Sequence, residues 1–373
     1  MTQRPTLQSV AKAAGVSPMT VSNAFNRPDQ CSAETREKVL AVAREIGYAG
    51  PDPAARSLRR GRTDTVGVLL TERLPYAFTD LGMVAFLHGL ATALADAGQA
   101  LLLLPAEGNA EHAHVRNALV DAFVLASLLP DDPAVADVLD RRLPVVSWGQ
   151  PRLPGVPRIG VDDARAASKA ARHLLDLGHR RFVVVTFGAD AGDDEHTPAV
   201  RGVHRAMAER VAGFTRVLRA SGVTDVTIVN AATNARSAGV EAITSTLESP
   251  AVTAVFAVTD VLALGALDAA VACGVAVPAQ LSIVGFDNVA AASSSVPPLT
   301  TVSQSLFEQG GLAAKAVLDQ LAGREPKTRP IPSELIVRGS TAVVPPSQSQ
   351  RGRRASRRFA EHLAQEPQPS GPQ

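Results

Sequence analysis

The sequence predicts two folded parts of different class: an all-α helix-turn-helix headpiece at residues 1–50, and an α/β body of parallel, doubly wound sheets at 64–345. The headpiece rests on a helical pattern of apolar residues that one glycine breaks and a Ser-Pro pair restarts. The body rests on short aliphatic runs alternating with longer amphipathic segments, the pattern of repeated βα units. Charge separates the two parts further. Residues 1–63 carry ten Lys/Arg against five Asp/Glu, or +5, residues 346–373 carry +3, and the stretch between them carries −7, within a chain of net +1. A basic head on an acidic body is the electrostatic footprint of a nucleic-acid-binding module attached to something else.

In the headpiece, Leu7, Val10, Ala11 and Ala14 recur at helical spacing and Gly15 ends the run. Ser17 is a favourable N-cap and Pro18 fits the first helical position, where its missing N–H costs nothing; Val21, Ala24 and Phe25 then give a second helix its apolar face. Ser32 caps a third helix, with Val39, Leu40, Ala43 and Ile46 inward and Gly47 at its end. A major groove admits one such helix, and the second is expected to enter it. Its exposed face offers Pro18, Met19, Thr20, Ser22 and Asn23: Asn bonds adenine in bidentate fashion, Ser bonds either base type, and Met lies against a thymine methyl. Read from pattern alone, an inert helical hairpin stays open.

In the body, strands are expected at Val66–Leu70, Ala100–Leu104, Ala122–Leu125, Pro144–Ser147, Phe182–Thr186, Val226–Val229, Ala254–Ala257 and Leu281–Phe286. Helices are expected near Thr79–Ala97, Ala164–Leu177, His204–Ser221, Ala235–Leu247 and Asp260–Cys273. That is too many strands for one small doubly wound domain, so two lobes are expected, with ligand bound between them beyond the carboxyl ends of the strands. The N-lobe is assigned to about 64–161 and 291–322, the C-lobe to about 162–290 and 323–345.

Several strings resemble the lactose/galactose repressor (LacI/GalR) family. TLQSVAKAAGVSPMTVS at 6–22 is similar to its headpiece, SAETREKV at 32–39 to its third helix and ARSLRRG at 55–61 to its hinge. In the body the resemblance rests on VDD at 161–163, HLLDLGHRR at 173–181, RVAGF at 210–214, TD at 259–260, ALGA at 263–266, SIVGFDN at 282–288 and PPLTTV at 297–302. It implies a periplasmic-binding-protein-like sensor behind the headpiece, a hinge at 51–63, and a transcriptional regulator, with repression the commoner mode, whose affinity for double-stranded operator DNA answers to a sugar-like effector. On that resemblance Leu58 matches the wedge that enters the minor groove, with Arg56, Arg59, Arg60 and Arg62 supplying charge to backbone or groove. Thr6, Ser17, Asn26, Ser32 and Ala55 complete the DNA-facing set. The chain departs from the family at Pro18 and Met19, so no operator sequence transfers.

Carried over in the same way, Asp163, Arg210, Asp260 and Asp287 are the expected effector residues: carboxylates accept from hydroxyls and Arg donates in a fixed fork. A stacking ring is expected from Tyr76, Phe78 or Trp148. Asn234 stands where relatives commonly place an aromatic, and 188–209 is a longer, more polar stretch than in many of them, which implies an unusually polar pocket. For Asp163 and Asp260 the alternative is stabilisation of helix starts, and for the aromatics it is core filling. A homodimer is expected because one recognition helix reads only a half-site. The first sensor helix, with Phe86, Leu87, Leu90 and Leu94, is the expected face.

Other classes fare worse. Apolar runs such as Ala100–Pro105 and Ala122–Leu129 are far below the roughly 20 residues that span a bilayer, so no membrane partner is expected. The N-terminus lacks a signal-peptide pattern, which disfavours the alternative of an exported sugar-binding protein and predicts a cytoplasmic, nucleoid-associated location. No phosphate-binding glycine loop, nucleophile elbow or metal cluster is found, so neither enzyme activity nor cofactor is expected. Asp193, Asp194, Glu195, His196 and His204 fit no standard metal spacing and read as solvated loop. Cys31 and Cys273 are assigned no role, and 346–373 reads as a disordered basic tail.

Overall fold

A computed structural model describes residues 5–50, 60–71, 74–106, 113–188, 205–247 and 252–344. It divides into two compact units, 1–64 and 65–373.

The first unit holds helices α1 (Leu7–Ala14), α2 (Pro18–Asn26) and α3 (Ala33–Glu45). Thr6 and Ser9 form a reciprocal capping box at the start of α1, and Gly15 closes it in the left-handed conformation at φ 65°. Ser17 and Ser32 cap α2 and α3 by accepting the N–H of Thr20 and Thr35. Val10, Ala11, Ala14, Val21, Ala24, Val39 and Ala43 are the buried centre, and Phe25 meets Tyr48 edge to face at 5.7 Å. Val42 packs against this centre in place of the expected Leu40, which is half-buried outside it.

The second unit contains two sheets. The first, ordered β2-β1-β3-β4-β5, is wholly parallel: β1 (Thr65–Leu70), β2 (Ala100–Pro105), β3 (Ala122–Ala126), β4 (Val145–Trp148) and β5 (Arg158–Ile159). The second, ordered β11-β10-β9-β8-β6-β7, comprises β6 (Phe182–Phe187), β7 (Val226–Ala231), β8 (Ala254–Ala257), β9 (Ser282–Asp287), β10 (Thr300–Ser303) and β11 (Glu334–Ile336). Contrary to the all-parallel expectation, β11 runs antiparallel to β10. The segment 291–303 was expected in the N-lobe. It belongs to the C-lobe, because β10 pairs along β9 from Thr300–Val284 to Ser303–Asp287.

The longer helices are α4 (Leu81–Asp96), α5 (Pro133–Asp140), α6 (Asp163–Asp176), α7 (Arg205–Ala220), α8 (Arg236–Leu247), α9 (Asp260–Ala272) and α10 (Leu306–Leu321), beside short ones at Leu74–Ala77, Ala113–Arg116 and Ala290–Ser294. The chain passes between lobes at 160–162, 304–305 and 322–333. Such crossings let the lobes change their relative angle while each sheet stays intact.

Within the N-lobe α4 and α10 cross closely. A Cβ on Gly310 would overlap the carbonyl oxygen of Phe86 and sit 2.5 Å from the Leu90 nitrogen, and one on Gly89 would overlap the Phe307 carbonyl. These are backbone atoms that no rotamer change can move. Gly310→Ala should therefore force the helices apart and cost about 1–3 kcal/mol, as overpacking does, despite alanine's better helix propensity. Urea unfolding showing equal or greater stability would reject this account.

The crossing also corrects the expected dimer face. Phe86, Leu87, Leu90 and Leu94 are buried inside the chain, and α4 leaves Leu81 and Val84 outside at 39% and 40% exposure.

Candidate functional site

On the headpiece, the apolar residues of α2 face α1 and α3, and Met19, Ser22, Asn23 and Asn26 share the opposite side. Met19 is 69% exposed. Asn26 donates to the Ser22 carbonyl at 3.0 Å, which leaves Asn23 the amide of this face with no hydrogen bond to a neighbouring side chain in the described region. Thr6, Ser17 and Ser32 spend their side-chain oxygens on capping, and Ser17 also meets the Thr20 hydroxyl at 2.9 Å. These hydroxyls fix where each helix begins. The hinge candidates Ala55, Arg56, Leu58 and Arg59, and the acidic and histidine residues at 193–196 and 204, lie outside the described residues.

In the body, a cavity of about 130 Å³ lies between the two sheets at the carboxyl ends of their strands. Leu70 and Thr71 after β1, Ser127 after β3, Trp148 at the end of β4, Phe187 at the end of β6 and Asp287 at the end of β9 all reach it. This is the location the fold dictates, because the βα turns of both lobes open there.

Its centre is Arg210 on α7, only 4% exposed. Its Nε donates to Asp163 Oδ1 at 2.9 Å, and its Nη1 donates to the Val258 carbonyl at 2.7 Å and to Asp287 Oδ1 at 3.2 Å. The guanidinium carbon stands 3.7 Å from the centroid of the Phe286 ring, which supports its flat face. Asp163 is the first residue of α6, whose cap is its neighbour Asp162. One cation is shared by two buried carboxylates. Burial drives the carboxyls of Asp163 and Asp287 above their ordinary range, with Arg210 pulling each back and the Asp260 charge adding to the rise at Asp287.

Asp287 is held at φ 121° and Asn288 at φ 57°, conformations that side-chain-bearing residues seldom adopt. Asp260 was expected in the cleft, but it supports this turn from behind. It is fully buried, accepts the Thr301 hydroxyl at 2.6 Å and the Val289 N–H at 2.9 Å, and does not line the cavity. Its side chain follows the strand end because the buried N–H that follows a strained turn needs an acceptor.

Trp148 is the ring in the cavity wall. One face stacks on Phe86 at 3.9 Å, and its Nε1 donates to Gln309 at 2.7 Å, so the indole is fixed by the core and also lines the cleft. Phe78 is 67% exposed and lines no part of the cavity, which corrects its expected role. Tyr76 belongs to the short helix Leu74–Ala77, and its side chain lies outside what is described. Asn234 lines the cleft: its Nδ2 donates to Asp80 Oδ2 at 2.7 Å and its Oδ1 accepts the Thr259 hydroxyl at 2.7 Å. Asp80 caps α4, so this amide ties one lobe to the other.

Sequence reasoning missed four polar residues here. Asp80 had only the weak signal of an N-cap. Gln304 donates to Asp287 at 2.5 Å, Gln309 holds Trp148, and Gln150 accepts the Arg205 N–H at 2.7 Å across the lobes. No local pattern marks a glutamine whose partner is distant in sequence. Among the described residues no cluster has metal-ligand composition, and no helix is long and apolar enough to cross a membrane.

Comparison with known proteins agrees with this geometry. Residues 6–50 match the model of bacterial regulatory proteins of the lacI family, and residues 171–341 match a periplasmic binding protein-like domain. An HTH-type transcriptional regulator of Mycobacterium tuberculosis is 40% identical, over 92% of this chain and 98% of its own. The solved complex of the transcriptional regulator CelR with cellobiose is 30% identical, covers 90% of this chain and 100% of its own, and superposes with a TM-score of 0.63. A lac repressor dimer on operator superposes at 0.73 with 24% identity, covering 91% of this chain and 100% of its own, which is a likeness of fold. With its headpiece, its two-lobed body and a relative of this similarity along nearly its whole length, the chain belongs to the lacI family of DNA-binding transcriptional regulators.

Proposed function

We propose that this regulator represses transcription as a cytoplasmic homodimer, each headpiece placing α2 in the major groove of one operator half-site, and that a neutral polyhydroxylated molecule in the interlobe cavity changes operator affinity. The observation that carries the effector class is the charge of the cleft. Among the described residues, Asp80, Asp163 and Asp287 face it against the one cation Arg210, and that guanidinium is already engaged by two carboxylates, a carbonyl and a ring. Among the described residues an anionic ligand would meet carboxyl groups and no uncommitted cation. Hydroxyls suit the site, because they donate to carboxylates and accept from amides at once. The flat Trp148 and the aliphatic Leu70, Met83 and Leu306 offer the apolar surface a sugar ring also needs. CelR, a relative solved with cellobiose, supports the same class.

On the DNA side, Asn23, Ser22 and Met19 are the proposed base readers and Leu58 the proposed minor-groove wedge. Ser17, Thr20 and Ser32 place the helix ends. Genomic footprinting to obtain an operator, followed by titration with neutral sugars and polyols, tests the reading. One ligand should shift operator affinity by 5–150-fold, and operator should shift affinity for that ligand by the same factor, as linkage requires. A ligand that binds without a reciprocal effect would overturn the gating.

A further inference from the structure

A second cavity, of about 530 Å³, opens beside the β5–α6 crossing, and its lining includes Arg152, Arg158, Asp162 and Glu209 together with the apolar Leu153 and Val156. Its charges are unevenly matched. Glu209 on α7 is shared by two arginines, at 2.9 Å from Arg152 Nη2 and 2.8 Å from Arg205 Nε. Asp162 is committed as the α6 cap, accepting the Arg165 N–H at 3.0 Å. Arg158 is half-buried, donates from Nη2 to the Val161 carbonyl at 3.0 Å, and has no carboxylate within 4 Å among the described residues. Three guanidiniums thus meet two carboxylates, one of which is a helix cap. Burial, and after it the field of Arg152, depress the proton affinity of Arg158, with Asp163 and Glu209 opposing from beyond ion-pair distance and Arg205 adding to the fall.

We infer that this seam is an anion site, separate from the effector cleft, which takes a phosphate-type dianion, either free or as the phosphoryl group of an organic ester, between Arg158 and Arg152. The two guanidiniums stand in the wall of one cavity and offer N–H donors beyond those already used, and the planar fork suits tetrahedral oxyanions. Arg152 follows β4, while Glu209 and Arg205 lie on α7, so both lobes supply the site.

The test is thermal unfolding and calorimetric titration of the full chain with inorganic phosphate and with phenyl phosphate, against chloride at equal ionic strength. The basic headpiece also attracts phosphate, so the reading lies in the difference between the native chain and Arg158→Gln. We expect phosphate or its ester to raise Tm beyond chloride, and the body's share of that binding to weaken roughly tenfold or more in Arg158→Gln. Arg152→Gln, an exposed side chain, should weaken it too, and it carries the test if Arg158→Gln fails to fold. No increment over chloride in the native chain overturns the site. So does an increment that both variants keep unchanged, which would leave Arg158 as a support for the β5 turn only.

Discussion

Arg210→Met should cost about 3–5 kcal/mol of stability in mildly alkaline solution and abolish any effector response, because it leaves Asp163 and Asp287 buried without the one cation they share. Methionine can replace much of the apolar volume against Phe286, so the loss reports charge more than packing. The pH dependence separates this from a simple cavity. Both carboxyls already sit above their ordinary range through burial, and removing Arg210 removes the influence that pulls them back. They should then take up protons as the solution is acidified, Asp287 first because its carboxyl already sits at about 8, so the penalty should shrink as the pH falls from 9 to 6. Adding Asp287→Asn to Arg210→Met should recover part of the loss by the same reasoning. A penalty equally large at both pH values and unrelieved in the double variant would place the role of Arg210 in packing alone.

This triad shows what the sequence made legible. Asp163, Arg210 and Asp287 lie 47 and 77 residues apart, counted from Arg210, and they meet in the cleft; only the family resemblance singled them out in the sequence, and nothing local in it showed that they pair with one another. Strand positions were legible from local pattern: Val66–Leu70 was expected and Thr65–Leu70 is found, and Ala254–Ala257 agrees at both ends. Misses arose where the deciding partner is remote. Helix α10 carries Gly310 and Gly311 side by side, a local breaker signal overridden by its close crossing with α4. Segment 291–303 joined the wrong lobe because β10 is only four residues long and its membership depends on β9. Asp260 resembles Asp287 in sequence context, and only the strained turn after β9 explains why it faces the other way. On the headpiece the scaffold was legible through caps and the glycine turn. The reading face was legible only as an exposed stripe, since its chemistry depends on the DNA.

The second large effect concerns His179, and its sign is opposite to that of the cleft carboxylates. Its ring is 3% exposed and three-way bonded: Nδ1 with Thr253 at 3.0 Å, and Nε2 with Ser282 at 3.0 Å and the Ala342 carbonyl at 3.1 Å. The contact with a carbonyl requires Nε2–H to donate there, so Nδ1 accepts from the Thr253 hydroxyl in the neutral ring. Burial pushes the imidazole down to about 4, with the Ala342 carbonyl opposing and the nearby His173 and Arg180 adding. In the unfolded chain a histidine takes its proton near pH 6.5, whereas the folded ring declines it until about 4. The unfolded state therefore binds more protons over that window, and stability falls as pH drops through it, by at most about 3 kcal/mol, then levels off below. Asp163, Asp260 and Asp287, whose carboxyls are raised, act the other way, since their folded forms take protons more readily as pH falls. The native pH profile alone would mix the two. The difference between the native chain and His179→Gln isolates the ring, because the carboxylates are common to both. Native stability relative to His179→Gln should decline from pH 6.5 to 4 and be constant above pH 7.5. A flat difference across that range would mean the ring protonates as easily folded as unfolded, and the clasp it makes on the segment ending at Ala342 would then carry no charge penalty.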